Sequence, residues 1–237
     1  MDEKIVDLAI GEIKKYYENA KKDINGRERS WEHCYTNFFD VILYGRPYNM
    51  CAIDYLSLHL GFYLASWGMY RGAAFLLQKD YRIHIPAVEI ILKNKNVDML
   101  IRASGTAFCD DMILDVIDEL RLELAKYYSR VRSDVKKKRQ DVDTVSDTLI
   151  SKILLGTLGC VPAYDEYFVA AVRKYGVSTG VFNRKSIKKL SHFYCEYFDR
   201  FEDVREELSF GNKGMKYPTM KLLDMAFWQI GFDGDNS

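Results

Sequence analysis

The chain has 237 residues, 48% of them hydrophobic and 29% charged, and its Lys and Arg balance its Asp and Glu at a formal net charge of zero. This length and mixture fit one large soluble globular domain or two small ones packed together. Zero net charge excludes a global basic field, so any nucleic-acid binding must rest on a local patch.

In chain order, residues 2–22 place Ile5, Leu8, Ala9, Ile13 and Tyr16 on one helical face, and Asn25-Gly26 stops the run. Ser30 is the expected cap of a second helix carrying Trp31, Cys34, Phe38 and Val41, broken at Gly45-Arg46-Pro47. Residues 50–78 are apolar nearly all round, which predicts the central helix of the core, with a kink near Gly68 or Gly72. A shorter helix follows Pro86, and another covers about 110–131, with Met112, Leu114, Val116, Ile117, Leu120 and Leu124 as its buried stripe. A charged surface connection then leads to helices at 148–157, 165–175, 184–209 and 218–230. Strand-like alternation is absent over any useful length. The expectation is an all-α chain forming a single helical domain over 1–237, divisible into lobes at 1–110 and 111–237, with the chain ends packing back.

Only 4 prolines punctuate this pattern, and aromatic residues are plentiful at 17 Tyr and 13 Phe. The five cysteines (Cys34, Cys51, Cys109, Cys160 and Cys195) are dispersed and never form a CxxC pair. That spacing speaks against a disulfide framework, a structural zinc site and a four-cysteine iron–sulfur cluster. The stretch MDEKIVDLAIGEIKKYY mixes acids and bases through its apolar positions, unlike a signal peptide. The longest apolar segment, 51–77, carries Asp54, His59 and Arg71, which argues against a membrane span. A reducing cytoplasm is therefore expected, with no metal, no cofactor and no membrane.

The most informative segment is 148–175, TLISKILLGTLGCVPAYDEYFVAAVRKY: an aliphatic helix, a break at Gly159-Cys160-Val161-Pro162, and Asp165 opening the next helix. Asp165 reads as an N-cap by residue type alone, and a carboxylate at such a position can also serve as an acid or base. Over roughly 141–176 the segment resembles the helix-hairpin-helix DNA glycosylases, in which an aliphatic helix runs through a Pro-containing turn into an essential Asp. The resemblance implies Pro162 as the turn proline and Asp165 as the catalytic carboxylate. It would stabilise positive charge on the deoxyribose as the base departs and guide water to the sugar. Two departures stand out. The family's Leu-Pro-Gly-Val-Gly hairpin is replaced by Asp141, Val142, Asp143, Thr144 and Val145, and the Schiff-base lysine of lyase-active members falls on Asp147. A monofunctional hydrolase is the simpler expectation, with Lys152 as the lyase lysine only if the alignment slips.

The same resemblance implies double-stranded DNA as the partner of a monomeric protein. A basic run precedes the hairpin segment, and its Lys136, Lys137, Lys138 and Arg139, with Thr144 and Thr148 at the helix start, are the expected phosphate contacts. A base turned out of a duplex needs aromatic walls and an edge-reading donor, for which Trp31, Trp67, Arg71 and Gln78 are the candidates. Core packing is the competing explanation for each aromatic residue. Divergence from the repair pattern further implies a specialised member, such as an antiviral enzyme excising modified bases from phage DNA. Two alternatives remain open. Arg27 and His33, separated by five residues, are also similar in spacing to the Arg–His pair of the HEPN ribonucleases. A non-catalytic helical interaction module is the other.

Overall fold

The computed structural model describes residues 3–45, 48–136, 144–211 and 213–235. Within them the chain forms eleven α-helices, three short 3-10 turns and one two-stranded ribbon, which establishes the all-α class. No helix among the described residues is long and apolar enough to cross a membrane.

The first helix, α1 (Glu3–Lys22), buries Ile5, Ala9, Ile13 and Tyr16. Next, α2 (Arg29–Tyr44) starts one residue before the expected cap. Ser30 is buried and its hydroxyl donates to the Arg27 carbonyl, so it closes the preceding turn instead of capping. Helix α3 (Met50–Ser66) opens on Asn49, whose side chain accepts the Ala52 N–H at 2.8 Å. It is not the central helix. Met50, Tyr55, Leu58 and Phe62 stay exposed, while other residues of α3 pack on α2, on the following turns and on the later helices Ile85–Lys93 and Asp147–Leu158. Uniform apolarity gives a helix no preferred face, so it cannot by itself specify burial. The helix ends at Trp67, and Gly68 turns the chain at φ 79°, ending the expected 50–78 run twelve residues early.

Helices α4 (Ile85–Lys93, with Pro86 in its first turn), α5 (Val97–Arg102) and α6 (Asp111–Lys136) follow. The last continues five residues beyond the expected boundary, since nothing in its basic final turns breaks a helix. Then come α7 (Asp147–Leu158), α8 (Glu166–Lys174), α9 (Arg184–Glu196) and α10 (Phe198–Glu207). The single helix expected over 184–209 is thus two, broken at Tyr197 (φ −120°, ψ 34°) without Gly or Pro to announce it. A ribbon pairs Ser209 with Lys216 and Phe210 with Met215. It leads into α11 (Thr219–Asp235).

The central position belongs to α11, in which every residue from Thr219 to Ile230 is buried. It is flanked by α1 on one side and α8 on another. The second buried element is α7, buried from Leu149 through Leu158 and packed on α2 and α3. The segment 159–165 crosses from α7 to α8 between these two helices. Gly159 makes the crossing possible: its φ is 62°, and a Cβ there would lie 2.6 Å from the Pro218 ring.

Candidate active site

The crossing segment is tied down on both sides. Ala163 N–H donates to the Asp224 carboxylate of α11 at 2.9 Å, and Tyr164 N–H donates to the Ser151 hydroxyl of α7 at 2.8 Å. The Thr148 hydroxyl donates to the Tyr164 carbonyl at 2.9 Å. These bonds fix Asp165 as the N-cap of α8, where its Oδ1 accepts the Phe168 N–H at 3.2 Å. The other oxygen, Oδ2, stands 3.3 Å from the Lys152 ammonium. Lys152 also donates to the Trp67 carbonyl at 3.1 Å, and the two charged side chains are only 7% and 11% exposed. Burial pushes the Asp165 carboxyl above its ordinary range. Lys152 and the Phe168 N–H oppose that shift, and the nearby Asp224 carboxylate adds to it.

Both groups line a cleft of about 640 Å³. Its aromatic wall comes from three elements. Trp228 and Phe232 of α11 stack at 5.0 Å, and Trp67 and Tyr167 meet the Trp228 ring edge-on at 5.4 and 5.8 Å. The guanidinium of Arg27 lies over Trp67 and Trp228, 4.9 and 5.5 Å from the ring centroids. Arg71 and Glu166 complete the charged rim. Among its polar atoms, the Trp67 indole nitrogen is buried without a hydrogen-bond partner. A neighbouring groove of about 290 Å³, lined by Arg132 and Ser146, shares Gly68 and Met69 with the cleft.

Of the residues singled out in the sequence, Asp165, Lys152, Trp67, Arg71 and Thr148 converge here. Trp31 does not. It is 1% exposed, stacks between Tyr35 and Tyr217, and donates its indole N–H to the Leu155 carbonyl, so it is a core residue. Gln78 is exposed at the end of the 3-10 turn Phe75–Gln78 and contributes nothing to the cleft. Thr144 is exposed, and its carbonyl accepts from Arg132 at 2.7 Å. The Lys136 side chain, and Lys137, Lys138, Arg139 and the first three hairpin-segment residues, lie outside the described residues. Asp147, where the alignment placed the lyase lysine, faces solvent and pairs with Arg121 at 3.1 Å. Arg27 lines the cleft, but His33 is exposed on α2 and does not. No group of three His, Cys, Asp or Glu among the described residues is placed to hold a metal ion.

Residues from the C-terminal helix were missed. Trp228, Phe232, Lys221 and Asp224 all sit in an otherwise apolar run, KLLDMAFWQIGF, and the legible signal was the opposite charges three residues apart within it.

A second polar group touches the cleft wall. Tyr70 lines the cleft, and its hydroxyl is 2.6 Å from His84 Nε2, while His84 Nδ1 is 2.6 Å from the Tyr128 hydroxyl. Burial lowers the His84 pKa from 6.5 to about 4. The unfolded chain therefore takes up this proton first as pH falls. The contribution to stability is complete above pH 6.5 and is lost as pH drops towards 4, on the order of 3 kcal/mol for a shift of this size. Urea denaturation at pH 7 and pH 4.5 checks this: wild type loses this component on acidification, whereas His84→Gln, less stable at pH 7, shows a shallower pH dependence.

Compared with protein-family models, curated proteins and solved structures, the chain matches none of them.

Proposed function

We propose that this chain is a DNA glycosylase that takes a base out of duplex DNA and cleaves its N-glycosidic bond, leaving an abasic site. The observation that carries the reading is the Asp165–Lys152 pair, nearly buried at the base of an aromatic-walled cleft. The resemblance of residues 141–176 to the helix-hairpin-helix glycosylases agrees with it. The cleft volume lies within the roughly 300–1,000 Å³ common to small-molecule sites. Trp67 and Phe232 line the cleft that an extruded base would enter, and Arg27 would have to leave the Trp67 face for a base to stack there. Arg27 and Arg71 offer donors to its edge or phosphate. Lys126 and Arg130, exposed on α6, and Arg132 in the adjoining groove supply cations along which a duplex backbone can lie.

In the hydrolytic route, Asp165 stabilises the cation that develops at the anomeric carbon as its bond to the base breaks, and takes a proton from the attacking water. Lys152 keeps the carboxylate ionised and oriented. Because burial raises Asp165, activity is expected to fall on acidification at a pH above the usual carboxylate range. A second reading is favoured by the position of Lys152. Its Nζ reaches the same cleft, so the amine, its proton passed to Asp165, attacks the anomeric carbon as the bond to the base breaks and the base leaves. The second amine proton goes to the ring oxygen as the C1′–O4′ bond opens, which leaves the Schiff base.

The test is incubation with duplexes carrying oxidised, alkylated or hypermodified bases, followed by hot alkali to break the strand at abasic sites. Strand breaks from wild type and none from folded Asp165→Asn support the glycosylase. No breaks with any modified DNA, or equal breaks from the variant, sink it. Borohydride added during turnover separates the routes, since only the Schiff-base route leaves protein covalently joined to DNA.

A further inference from the structure

Behind the Asp165–Lys152 pair lies a second pair that faces no solvent. Lys221 and Asp224, one turn apart on α11, are 2% and 5% exposed and form an ion pair at 2.8 Å. The Lys221 ammonium also lies over the rings of Tyr16 and Trp31, at 4.9 and 5.2 Å. Burial alone would push its pKa down, yet the Asp224 carboxylate and the Tyr16 hydroxyl bring it above the ordinary lysine value. An apolar pair of similar volume would be as stable in such a place or more so. A buried ion pair therefore calls for another explanation, and its neighbours supply one.

A small space of about 10 Å³ lies between the two pairs, lined by Lys152 and Asp165 and by Lys221 and Asp224. Asp224 is also the residue that accepts the Ala163 N–H, two positions before Asp165. One side chain thus holds the crossing segment in place and sets a negative charge beside the carboxylate that the segment delivers. Facing Asp165 are Lys152 from α7, Tyr63 from α3, and Lys221 and Asp224 from α11. Arg27, Tyr70, Arg71, Glu166 and Tyr167 surround the open side.

Resting on the glycosylase reading of the same cleft, we propose that Asp224 and Lys221 are positioning residues for Asp165, Asp224 fixing its place and the balance of their two charges setting its proton affinity. The electrostatics have a definite sign. Removing the Asp224 charge leaves Lys221 unopposed and lowers the proton affinity of Asp165. Removing the Lys221 charge leaves Asp224 unopposed and raises it.

The experiment is a carbon-13 NMR titration of the aspartate carboxyls in wild type, Asp224→Asn and Lys221→Met, with Asp165→Asn identifying the resonance. Asp224→Asn preserves an oxygen for the Ala163 N–H. Its Asp165 midpoint is expected to fall by about one unit, and that of Lys221→Met to rise by distinctly less, because Asp224 is the direct influence on Asp165. The acid limb of kcat/KM should move in the same directions. A pair with only a structural role would change the melting temperature and leave both midpoints alone. Unchanged midpoints, or shifts of the same sign, in folded variants overturn the proposal. Should either single variant fail to fold, the double variant, with both charges removed, takes its place. A smaller downward shift is expected there, because Asp224 is the nearer influence, and no shift overturns the proposal. The titration needs no turnover, so the coupling can be read even if no DNA proves to be a substrate. Failure of the glycosylase reading is thereby kept separate from failure of this one.

Discussion

Asp165→Asn is expected to lower base release by about 10²–10⁴-fold, the range spanned by positioned acid–base groups, while leaving the protein folded. The structure separates the two roles of this side chain. The capping role needs only an oxygen to accept the Phe168 N–H, and Asn supplies it about as well as Asp. The chemical role needs a negative charge facing the cleft, and Asn has none. The linkage has a matching sign. Burial raises the folded-state pKa of Asp165 above the ordinary 3.8, so the folded chain binds this proton more tightly than the unfolded chain. The carboxyl's contribution to stability is therefore greatest when it is protonated and declines as pH rises through the folded pKa. At neutral pH the substitution removes that unfavourable ionisation but deprives Lys152 of its counter-ion, although the Trp67 carbonyl remains as an acceptor. The two effects oppose each other, so the thermal midpoint should move by only a few degrees. Asp165→Ala is the contrasting variant: it removes the cap as well and should cost about 1 kcal/mol more. Loss of base release in both, with loss of stability confined to Ala, is the diagnostic pattern. Full activity in folded Asp165→Asn would remove the carboxylate from the mechanism.

How far such a site could be read from the sequence depended on the kind of signal each residue left. Caps are local, so an Asp just after a Pro-containing break and before an amphipathic run was visible as a helix start. The break at Gly159 was visible for the same reason. Burial is not local. The 50–66 segment is more uniformly apolar than the C-terminal helix, yet it presents Tyr55, Leu58 and Phe62 to solvent while α11 takes the centre. Which of two apolar helices becomes central depends on which neighbours cover it. Here α1 and α8 close over α11, contacts between segments far apart in the chain. Trp31 and Trp67 illustrate the same limit. Both are indoles beside helical residues, but Trp31 is walled in by Tyr35 and Tyr217, while the Gly68 turn leaves Trp67 at the cleft. The break at Tyr197 left no sequence mark, because nothing in its residue type forbids a helix. The Lys221–Asp224 pair was the signal passed over: two opposite charges on the apolar face of a helix are costly unless something holds them.

Gly231→Ala is expected to do the most damage of any single methyl group added near the cleft. A Cβ at this position would lie 2.1 Å from the Tyr167 carbonyl oxygen and 2.6 Å from its carbonyl carbon. Both are backbone atoms of α8, so no side-chain rotation can relieve the overlap, and α8 and α11 must move apart. Ala is the better helix former by about 0.8–1.0 kcal/mol, but overpacking against a fixed backbone costs roughly 1–3 kcal/mol and at times more. With the near-complete overlap here the clash should win, for a net loss of about 2 kcal/mol. The functional effect is expected to exceed the loss of stability. Tyr167 lies two residues beyond Asp165, so a displaced α8 carries the carboxylate away from Lys152, and a 1 Å misplacement of a reacting group can cost about 10²-fold in rate. Gly234→Ala is the control on the same helix, since a Cβ there meets nothing within 4 Å. Denaturation and base release measured on both variants separate helix propensity from helix contact. Gly234→Ala should be neutral or slightly stabilising and fully active, and Gly231→Ala impaired in both respects. Equal behaviour of the two would mean that α8 and α11 do not meet at Gly231, and the placement of Asp165 over Lys152 would lose its support.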